Sequence, residues 1–321
     1  MVPHFSLRQL AYLVAVAEAG SMTSAAEAQH VSQAAISTGI TDLERHLGVQ
    51  LLVRRPGHGV SLTEAGAGVV ADARRALAAA ADVQVRARAP HADLRGPVTL
   101  GCYRTMAPHH IPALHQDLQR LHPALELSTV EGGQEELRRA LTTGACDVLL
   151  TYEAGLGPGL HTETLVRPSP YVLLAADHPL AGRPTIRITE LADDTLVQYS
   201  PGPGPLGGLH VMHEAGVLPR RVVESTEIEV VRSLVARGVG YAILLQVWPT
   251  PLSIEGLPLA AVHLESGVPD HAVVLARLPD RQLGRRAQAV VELLRSAVPA
   301  RFNPTPGSST RPPVPEDPEH G

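Results

Sequence analysis

The chain has 321 residues, of which 44% are hydrophobic, and a formal net charge of −5 at pH 7. This length suits two or three domains, and the hydrophobic fraction is sufficient for a sizeable buried core. The slightly acidic balance excludes a protein that binds nucleic acid through a global basic field, so any argument for DNA binding depends on local motifs. Two cysteines are too few for the disulfide framework of a small secreted protein.

Near the start of the chain, apolar residues recur at helical spacing and are followed by Gly20. These residues are Leu7, Leu10, Leu13, Val14 and Ala17. Gly20 suits a helix C-terminus, because glycine tolerates the left-handed conformation, and Ser21 beside it suits an N-cap. We therefore predict a two-turn helix over 22–28, a tight turn over 29–31 and a further helix with Ser32 as its N-cap.

The further helix has an apolar stripe and a polar face. The stripe consists of Ile36, Ile40, Leu43 and Leu47. A short helix, a tight turn and a second helix with a polar face describe a helix-turn-helix, whose second helix enters the DNA major groove. A helical hairpin inside an α-rich domain is the alternative interpretation of this pattern alone.

The segment "VQLLVRRPGHGVSLTEAG", residues 49–66, predicts a strand, a turn at its Pro-Gly pair, a second strand and a helix capped by Thr63. This is a small wing with Arg54 and Arg55 at its base. Arginines in that place bind phosphate and fix the docking register without reading the base sequence.

Residues 1–90 resemble the N-terminal region of the LysR-type transcriptional regulators. The matching motifs are "LRQLAYLVAVAEAGSMTSAA", "VSQAAIS", "DLERHLGVQLLVRR" and "VSLTEAG", in the family's order and spacing. The resemblance extends more loosely to Pro299, and it implies a winged helix-turn-helix, a linker helix used for dimerisation and a C-terminal effector-binding domain. The chain departs from the family at Ala34, where members often have Pro, and at Thr38, where they often have Arg.

The helix pattern and the resemblance together predict which residues contact double-stranded promoter DNA. They are Ser32, Gln33, Ala34, Ser37, Thr38, Thr41, Arg54 and Arg55. Gln33, Ser37 and Thr38 are expected to face base edges, and Ala34 is available for a thymine methyl group. The same helix contains Gly39, which weakens a helix interior by about 1 kcal/mol relative to Ala. Both a close approach of backbone and simple tolerance would explain this glycine.

Residues 63–89 contain no Pro and are rich in Ala, and they predict one long helix. One face of it has a stripe of Val69, Ala73, Leu77, Ala80 and Gln84. Pairing with a second copy would bury this stripe, and the resemblance implies the same contact in a homodimer or homotetramer. The alternative is a helix that folds back on its own chain. Pro90 and Gly96-Pro97 mark a hinge.

After the hinge, strands alternate with helices, which predicts βαβ units and a parallel sheet. Strand-like segments include "VTLGCY", "DVLLTY", "YVLLAADHPLAGR" and "HAVVLARL". The resemblance implies two α/β subdomains with an effector in the cleft between them, as in a type 2 periplasmic binding protein. The chain crosses twice between these subdomains.

The predicted fold class is α/β, with a winged helix-turn-helix at the N-terminal end of the chain. The predicted divisions are the DNA-binding domain at 1–62, the linker helix and hinge at 63–93, the effector-binding domain at 94–300 (subdomain I about 97–166 and 268–299, subdomain II about 167–267) and a disordered Pro-rich tail at 301–321.

The turn after the first strand, "YRTMAPHH", matches the stretch that contacts effectors in the family, often through a Ser or Thr. Thr105 carries that role over, and Arg104 beside it is a candidate bidentate partner for a carboxylate effector. Backbone N–H groups at the start of the following helix also favour an anion. The other cleft loops supply Ser200, Pro201 and Thr226.

Nothing in the sequence predicts catalysis, a cofactor or a metal site. "SPGPGPLGG" lacks the Gly-Lys-Ser/Thr of a phosphate loop, and the 16 histidines form no recognisable ligand set. Cys102 and Cys146 are expected to be buried thiols, with a redox switch as the alternative. No stretch approaches a membrane span, so the protein is expected in the cytoplasm. A ligand-binding or catalytic α/β protein with an accessory helical domain is the alternative to a regulator.

Overall fold

The computed structural model describes residues 4–55, 59–88, 94–200, 207–246, 248, 250–265, 271–279 and 282–302, and the side chains of 54, 55, 82 and 84–88 fall outside that description. Within these ranges the chain forms an N-terminal helical unit with a β-hairpin, then a long helix and two α/β units. The predicted order of fold elements is confirmed.

The N-terminal unit contains the predicted helix-turn-helix. Its elements are α1 (Leu7–Ala19), α2 (Met22–Ala28), α3 (Gln33–Leu47), β1 (Leu52–Arg55) and β2 (Gly59–Leu62). Gly20 ends α1 with φ 63°, as predicted. The predicted N-caps are also confirmed, because the Ser21 hydroxyl accepts from the Ser24 N–H at 3.4 Å. The Ser32 hydroxyl accepts from the Ala35 N–H at 3.2 Å. Each cap satisfies a backbone donor that the first turn of a helix leaves without a partner.

Gly39 lies where α3 packs closely on α1. A Cβ added at Gly39 would come 2.7 Å from Cδ2 of Tyr12. Tyr12 is buried in the core of this unit together with Leu13 and Ile36, so its ring has no free space to move into. The close approach of a side chain, and not of backbone, explains why the recognition helix has a glycine in its interior.

The hairpin is held against the end of α3. β1 and β2 pair in antiparallel register, as predicted for the wing. The Glu44 carboxylate on α3 accepts hydrogen bonds from the backbone N–H groups of Leu51 and Leu52 at 2.8 and 3.2 Å. The Val60 N–H on β2 also donates to the Gly20 carbonyl at 3.1 Å, so both α3 and the end of α1 hold the hairpin. The predicted Pro-Gly turn lies outside the described residues.

The long helix α4 (Glu64–Arg88) packs on its own chain. Ala73 is buried, and Val69 and Leu77 are half-buried, against the core that α1, α2 and α3 form. The prediction that a second copy covers this stripe is therefore wrong for its first half. The reason is that α1 also has apolar residues on the side facing α4, and the two helices lie in contact.

Two arginines connect α4 to the α/β part. Arg74 Nη2 lies 3.1 Å from Glu18 Oε1 on α1, and Arg74 Nη1 donates to the Thr143 carbonyl at 3.3 Å. Arg286 Nη2 donates to the Ala78 carbonyl at 3.4 Å. The N-terminal unit and the first α/β unit are thus in polar contact through one helix.

The first α/β unit has a five-stranded sheet with the order β4-β3-β5-β13-β6. Its elements are β3 (Gly96–Tyr103), α5 (Ala107–Leu121), β4 (Leu125–Gly132), α6 (Gln134–Thr142), β5 (Val148–Tyr152), β6 (His161–Val166), β13 (Val273–Arg277) and α9 (Arg285–Phe302). Strands β3, β4 and β5 are parallel, as predicted, whereas β13 is antiparallel to β5 and β6. The return of β13 to this sheet confirms the double crossing.

The second α/β unit has a four-stranded sheet, β11-β7-β12-β8, and a parallel pair, β9 and β10. Its elements are β7 (Tyr171–Ala175), β8 (Thr185–Ile186), a 3-10 helix (Ile188–Leu191), β9 (Thr195–Tyr199), α7 (Gly208–Glu214), β10 (Arg221–Ser225), α8 (Ile228–Ala236), β11 (Ala242–Leu244) and β12 (Leu259–Leu264). Strand β7 is antiparallel to β11 and β12, whereas β12 is parallel to β8, so this second sheet is mixed. Strands β6, β8 and β12 were not predicted from the sequence.

The last described helix, α9, ends at Phe302, whose ring stacks on His110 with centroids 5.8 Å apart. The tail predicted at 301–321 therefore begins two residues too early, because the buried aromatic ring of Phe302 has a partner in the core. Residues 303–321 lie outside the described part of the chain. Among the described residues, no helix is long and apolar enough to cross a membrane.

We expect Gly39→Ala to lower the free energy of unfolding by about 1–2 kcal/mol. Alanine gains about 1 kcal/mol of helix propensity, but its methyl group would clash with the fixed ring of Tyr12. Gly68→Ala on α4 is the matched control, because a Cβ there meets nothing within 4 Å, and it should stabilise by roughly 0.5–1 kcal/mol. Urea unfolding of both variants measures the difference. Equal stabilisation by both would show that Tyr12 does not restrict this position.

Candidate functional site

The exposed side of α3 carries most of the residues predicted to contact DNA. The exposed ones are Ser32, Gln33, Ala34, Thr38 and Thr41, and Ser37 is half-buried. The sequence interpretation did not include Arg45, which lies one turn beyond Thr41 on the same side of the helix. Its side chain is 66% exposed, and its guanidinium pairs with Asp42 at 2.6 Å on the surface of the helix.

The start of α3 is also in contact with the preceding helix. The exposed Thr23 hydroxyl on α2 donates to Gln33 Oε1 at 3.5 Å, so two polar side chains lie side by side where the helices meet. Arg54 and Arg55 belong to β1, but their side chains lie outside the described ones. Base and phosphate contacts of these residues stay predictions.

A half-enclosed cavity of about 60 Å³ lies between the two α/β units. The first unit contributes Tyr103, Thr105, Tyr152 and His271, and the second contributes a larger, mainly apolar set that includes Tyr199, Val211, Ile228, Ile243 and Trp248. This volume has room for roughly five water molecules. The cleft expected between the subdomains therefore exists, with an aromatic and aliphatic lining.

The structure separates the residues that the sequence grouped as effector-binding. Thr105 lines the cavity. Arg104, Ser200 and Thr226 are not among its described lining residues, and Pro201 lies outside the described part of the chain. Of the described ones, only Thr105 lines this cavity, and the effector contacts predicted for all five residues stay predictions.

The three described residues that do not line the cavity have other contacts or lie exposed. The Arg104 guanidinium pairs with Glu136 Oε2 at 3.2 Å, and that oxygen also accepts from the Gly133 N–H at 2.8 Å. The Ser200 N–H donates to the Ser225 carbonyl at 2.8 Å, which continues the pairing of β9 with β10. Thr226 is exposed at the bend before α8.

The start of α5 offers fewer N–H groups to an anion than we expected. The Met106 N–H donates to the Tyr103 carbonyl at 2.8 Å, so it is already used. Pro108 has no N–H at all. The anion site predicted at this helix terminus therefore has little support in the geometry.

Tyrosines form much of the polar lining of the cavity. The rings of Tyr103 and Tyr152 meet edge to face with centroids 5.3 Å apart, and Tyr152 forms a side-chain hydrogen bond with Thr105. The Tyr199 hydroxyl oxygen is buried and has no hydrogen-bond partner among the described residues. Burial raises the pKa of all three phenols, so they are neutral hydrogen-bonding groups.

Gln198 fixes the wall next to Tyr199. Its amide Nε2 donates to the Tyr199 carbonyl at 2.8 Å, and its Oε1 accepts from the Leu209 N–H at 2.9 Å. Gly207 passes so close that an added Cβ would lie 2.0 Å from Gln198 Nε2, and its φ of 139° also favours glycine. The strand end and the start of α7 are thereby held together.

A buried histidine pair, His109 and His110, lies next to the cavity residue Trp248. His109 meets the Trp248 ring edge to face at 4.6 Å, and the Arg232 guanidinium lies 4.3 Å from the same ring centroid. The Arg301 guanidinium donates to the His109 carbonyl. Burial, then the charge of Arg301, lowers the pKa of His109 and of His110 to about 4. Both imidazoles are therefore neutral near pH 7.

The cysteines and the other histidines do not form a reactive or metal-binding site in the described part of the chain. Cys102 and Cys146 are both buried in the core of the first α/β unit, as predicted. Burial raises the pKa of the Cys102 thiol, which makes the reactive thiolate scarce. Among the described residues, no group of three metal-ligating side chains could hold an ion.

Comparison with known proteins gives two matching family models. The model described as bacterial regulatory helix-turn-helix protein, lysR family, matches residues 7–67. The model described as LysR substrate binding domain matches residues 91–299. The two matches correspond to the helix-turn-helix with its hairpin and to the two α/β units around the cavity.

Similar proteins match nearly along their full length. The HTH-type transcriptional regulator BudR of Raoultella terrigena is 32% identical over 75% of this chain and 84% of its own. The dual regulator OxyR of Escherichia coli strain K12 is 28% identical over 93% of this chain and 97% of its own. A solved structure of a full-length OxyR variant from Pseudomonas aeruginosa has a TM-score of 0.71 at 29% identity, with 92% and 98% of the two chains covered.

We expect the buried histidine pair to make the protein less stable in mild acid. An imidazole with a folded pKa of about 4 and an unfolded value of 6.5 contributes stability that is complete above pH 6.5 and is lost as the pH falls towards 4. At pH 5 the loss should be about 2 kcal/mol for each imidazole.

Urea unfolding at pH 7 and pH 5 measures this loss, with the double variant His109→Gln/His110→Gln as the control. Gln is neutral at both pH values, so the variant should lose markedly less stability between them than the unmodified protein. An equal loss in both proteins would contradict the assignment to this pair.

Proposed function

The chain belongs to the LysR family of transcriptional regulators, and we propose how its parts carry out that regulation. The α3 residues bind operator DNA, the cavity between the α/β units binds a small-molecule effector, and α4 connects the two. The observation that carries this proposal is the direct contact of α4 with both the helix-turn-helix and the first α/β unit, through Arg74 and Arg286.

DNA binding is assigned to the exposed side of α3 and to the hairpin. Gln33, Ser37 and Thr38 face base edges, Ala34 meets a thymine methyl group, and Arg54 and Arg55 bind phosphate. Ser32 and Thr41 lie at the two ends of the same surface. The exposure of the α3 residues supports this assignment, and Arg45 joins them as a further phosphate contact.

The effector binds in the cavity, where Thr105 from the first unit faces the apolar wall of the second. Closing the two units on a ligand shifts their relative position, and the contacts of Thr143 and Arg286 with α4 transmit that shift to the DNA-binding unit. This coupling requires that the ligand binds one arrangement more tightly than the other.

The protein acts as a homodimer or homotetramer through the side of α4 that its own chain leaves open. Ala79 and Val83 are exposed there, and the Val83 side chain is 60% accessible. Two operator half-sites are bound together only when two copies are joined. The proposed divisions are 1–62, 63–93 and 94–300, with the helix of the last extended to Phe302.

The function proposed is regulation without catalysis, as in the matched relatives, which are named as transcriptional regulators. The relatives also include a hydrogen peroxide-inducible genes activator. A thiol-based response is not proposed for this chain, because both of its cysteines are buried in a core and the pKa of Cys102 is raised.

We expect Gln33→Ala to cost about 1–3 kcal/mol of specific binding to the protein's own promoter and to relax one base position. Arg54→Ala should instead weaken binding to all sequences alike and reduce the salt slope by about one. Gel-shift titrations at several salt concentrations, with promoter and scrambled fragments, separate the two effects. Unchanged discrimination in Gln33→Ala would show that the helix is oriented differently on DNA.

We expect Val83→Asp to break the dimer, since a charge on a paired face is costly to bury without a partner. Leu218→Asp is the matched control, because Leu218 is 68% exposed but lies on the second α/β unit, away from α4. Light scattering should report a smaller species for Val83→Asp alone, together with weaker promoter binding. An unchanged dimer would place the contact elsewhere. Leu77→Asp is a poorer test, because Leu77 packs within its own chain.

A further inference from the structure

The described residues that line the cavity between the α/β units provide no permanent cation to a ligand. They include His271 but no Arg or Lys side chain. The charge of Arg104 acts on the lining residues Tyr103 and Tyr199, but its guanidinium pairs with Glu136 at 3.2 Å. Arg232 beneath Trp248 is likewise engaged, because its Nη2 donates to the Leu252 carbonyl at 2.6 Å and its Nε lies 3.2 Å from Glu229.

An anionic ligand would therefore lose its hydration without gaining a partner of opposite charge. Transfer of a carboxylate into an apolar site is strongly unfavourable unless it is paired. The start of α5 does not replace the missing cation, since Pro108 has no N–H and the Met106 N–H is already bonded. The lining instead consists of aromatic rings and aliphatic side chains such as Ile228 and Ile243.

The hydroxyl of Tyr199 is a polar group in the wall of the cavity. Tyr199 lines the cavity, is 9% exposed, and its hydroxyl has no hydrogen-bond partner among the described residues. The neighbouring phenols differ, because Tyr152 bonds with Thr105 and Tyr171 donates to the Gln246 carbonyl at 2.8 Å. A buried hydroxyl without a partner is unfavourable, and a ligand that bonds to it removes that cost.

We propose that the effector is an uncharged, largely apolar small molecule with one hydrogen-bonding group, such as an amide, ketone or alcohol, that bonds to the Tyr199 hydroxyl. This rests on the proposed function, because it takes the cavity as the effector site. It replaces the carboxylate expected from Arg104. The apolar part of the molecule contacts Ile228, Ile243 and Trp248, and Tyr199 fixes its orientation.

The test uses the full-length protein and matched pairs of neutral and charged probes of the same shape. Isobutyramide is compared with isobutyrate, and phenylacetamide with phenylacetate, by calorimetry at pH 7.5. At least one amide should bind ten times more tightly than its carboxylate. Tyr199→Phe should weaken that amide about tenfold, whereas Arg104→Ala should leave it unchanged.

Tyr241→Phe is the matched control, because the Tyr241 hydroxyl contacts Met212 Sδ in the core of the second unit and does not line the cavity. It should bind the amide as the unmodified protein does. The inference is overturned if neither amide binds at millimolar concentration, or if the carboxylates bind as tightly. It is also overturned if Tyr199→Phe and Tyr241→Phe have the same effect, or if Arg104→Ala weakens the amide.

A gel-shift with the protein's own promoter fragment separates this inference from the proposed function. Failure to bind the promoter without any probe would contradict the regulator itself. Promoter binding together with a preference for carboxylates would leave the regulator intact and contradict only the uncharged effector.

Discussion

The cleft depends on one strand that returns from the second α/β unit to the first. Strand β13 pairs antiparallel with both β5 and β6, so the first sheet is complete only after the chain has passed through the second unit. The two units are thereby joined by two crossings, and their strand ends face each other across the cavity. His271, which precedes β13, lines that cavity together with Thr105, which follows β3.

Helix α4 gives the cleft a physical connection to the helix-turn-helix. Its apolar side packs on α1, and Arg74 reaches both Glu18 and the Thr143 carbonyl. The effector unit therefore contacts the same helix that positions α1 and, through Tyr12 and Gly39, the recognition helix. Helix α4 is rich in alanine, and these small side chains allow neighbouring elements to approach closely.

The residues that line the cavity differ from those that adjacency along the sequence suggested. Arg104 and Thr105 are adjacent in the chain, yet Thr105 lines the cavity and Arg104 pairs with Glu136 on α6. A turn before a helix directs successive side chains differently, so adjacency does not place both in one site. For the same reason, the sequence did not predict the contact of His109 with Trp248, because these two residues are far apart in the chain.

The sequence by itself determined the local structure. The helix ends at Gly20, Ser21 and Ser32, the hairpin after α3 and the parallel βαβ start of the first sheet all follow from capping residues and apolar spacing, which act over a few residues. Only the tertiary structure decided which surface of α4 is buried and why position 39 is a glycine. It also decided that β7 has antiparallel neighbours and that the cavity is lined by Tyr199 and not by Arg104. These depend on contacts between distant segments, where packing and the choice of ionic partner override any pattern along the chain.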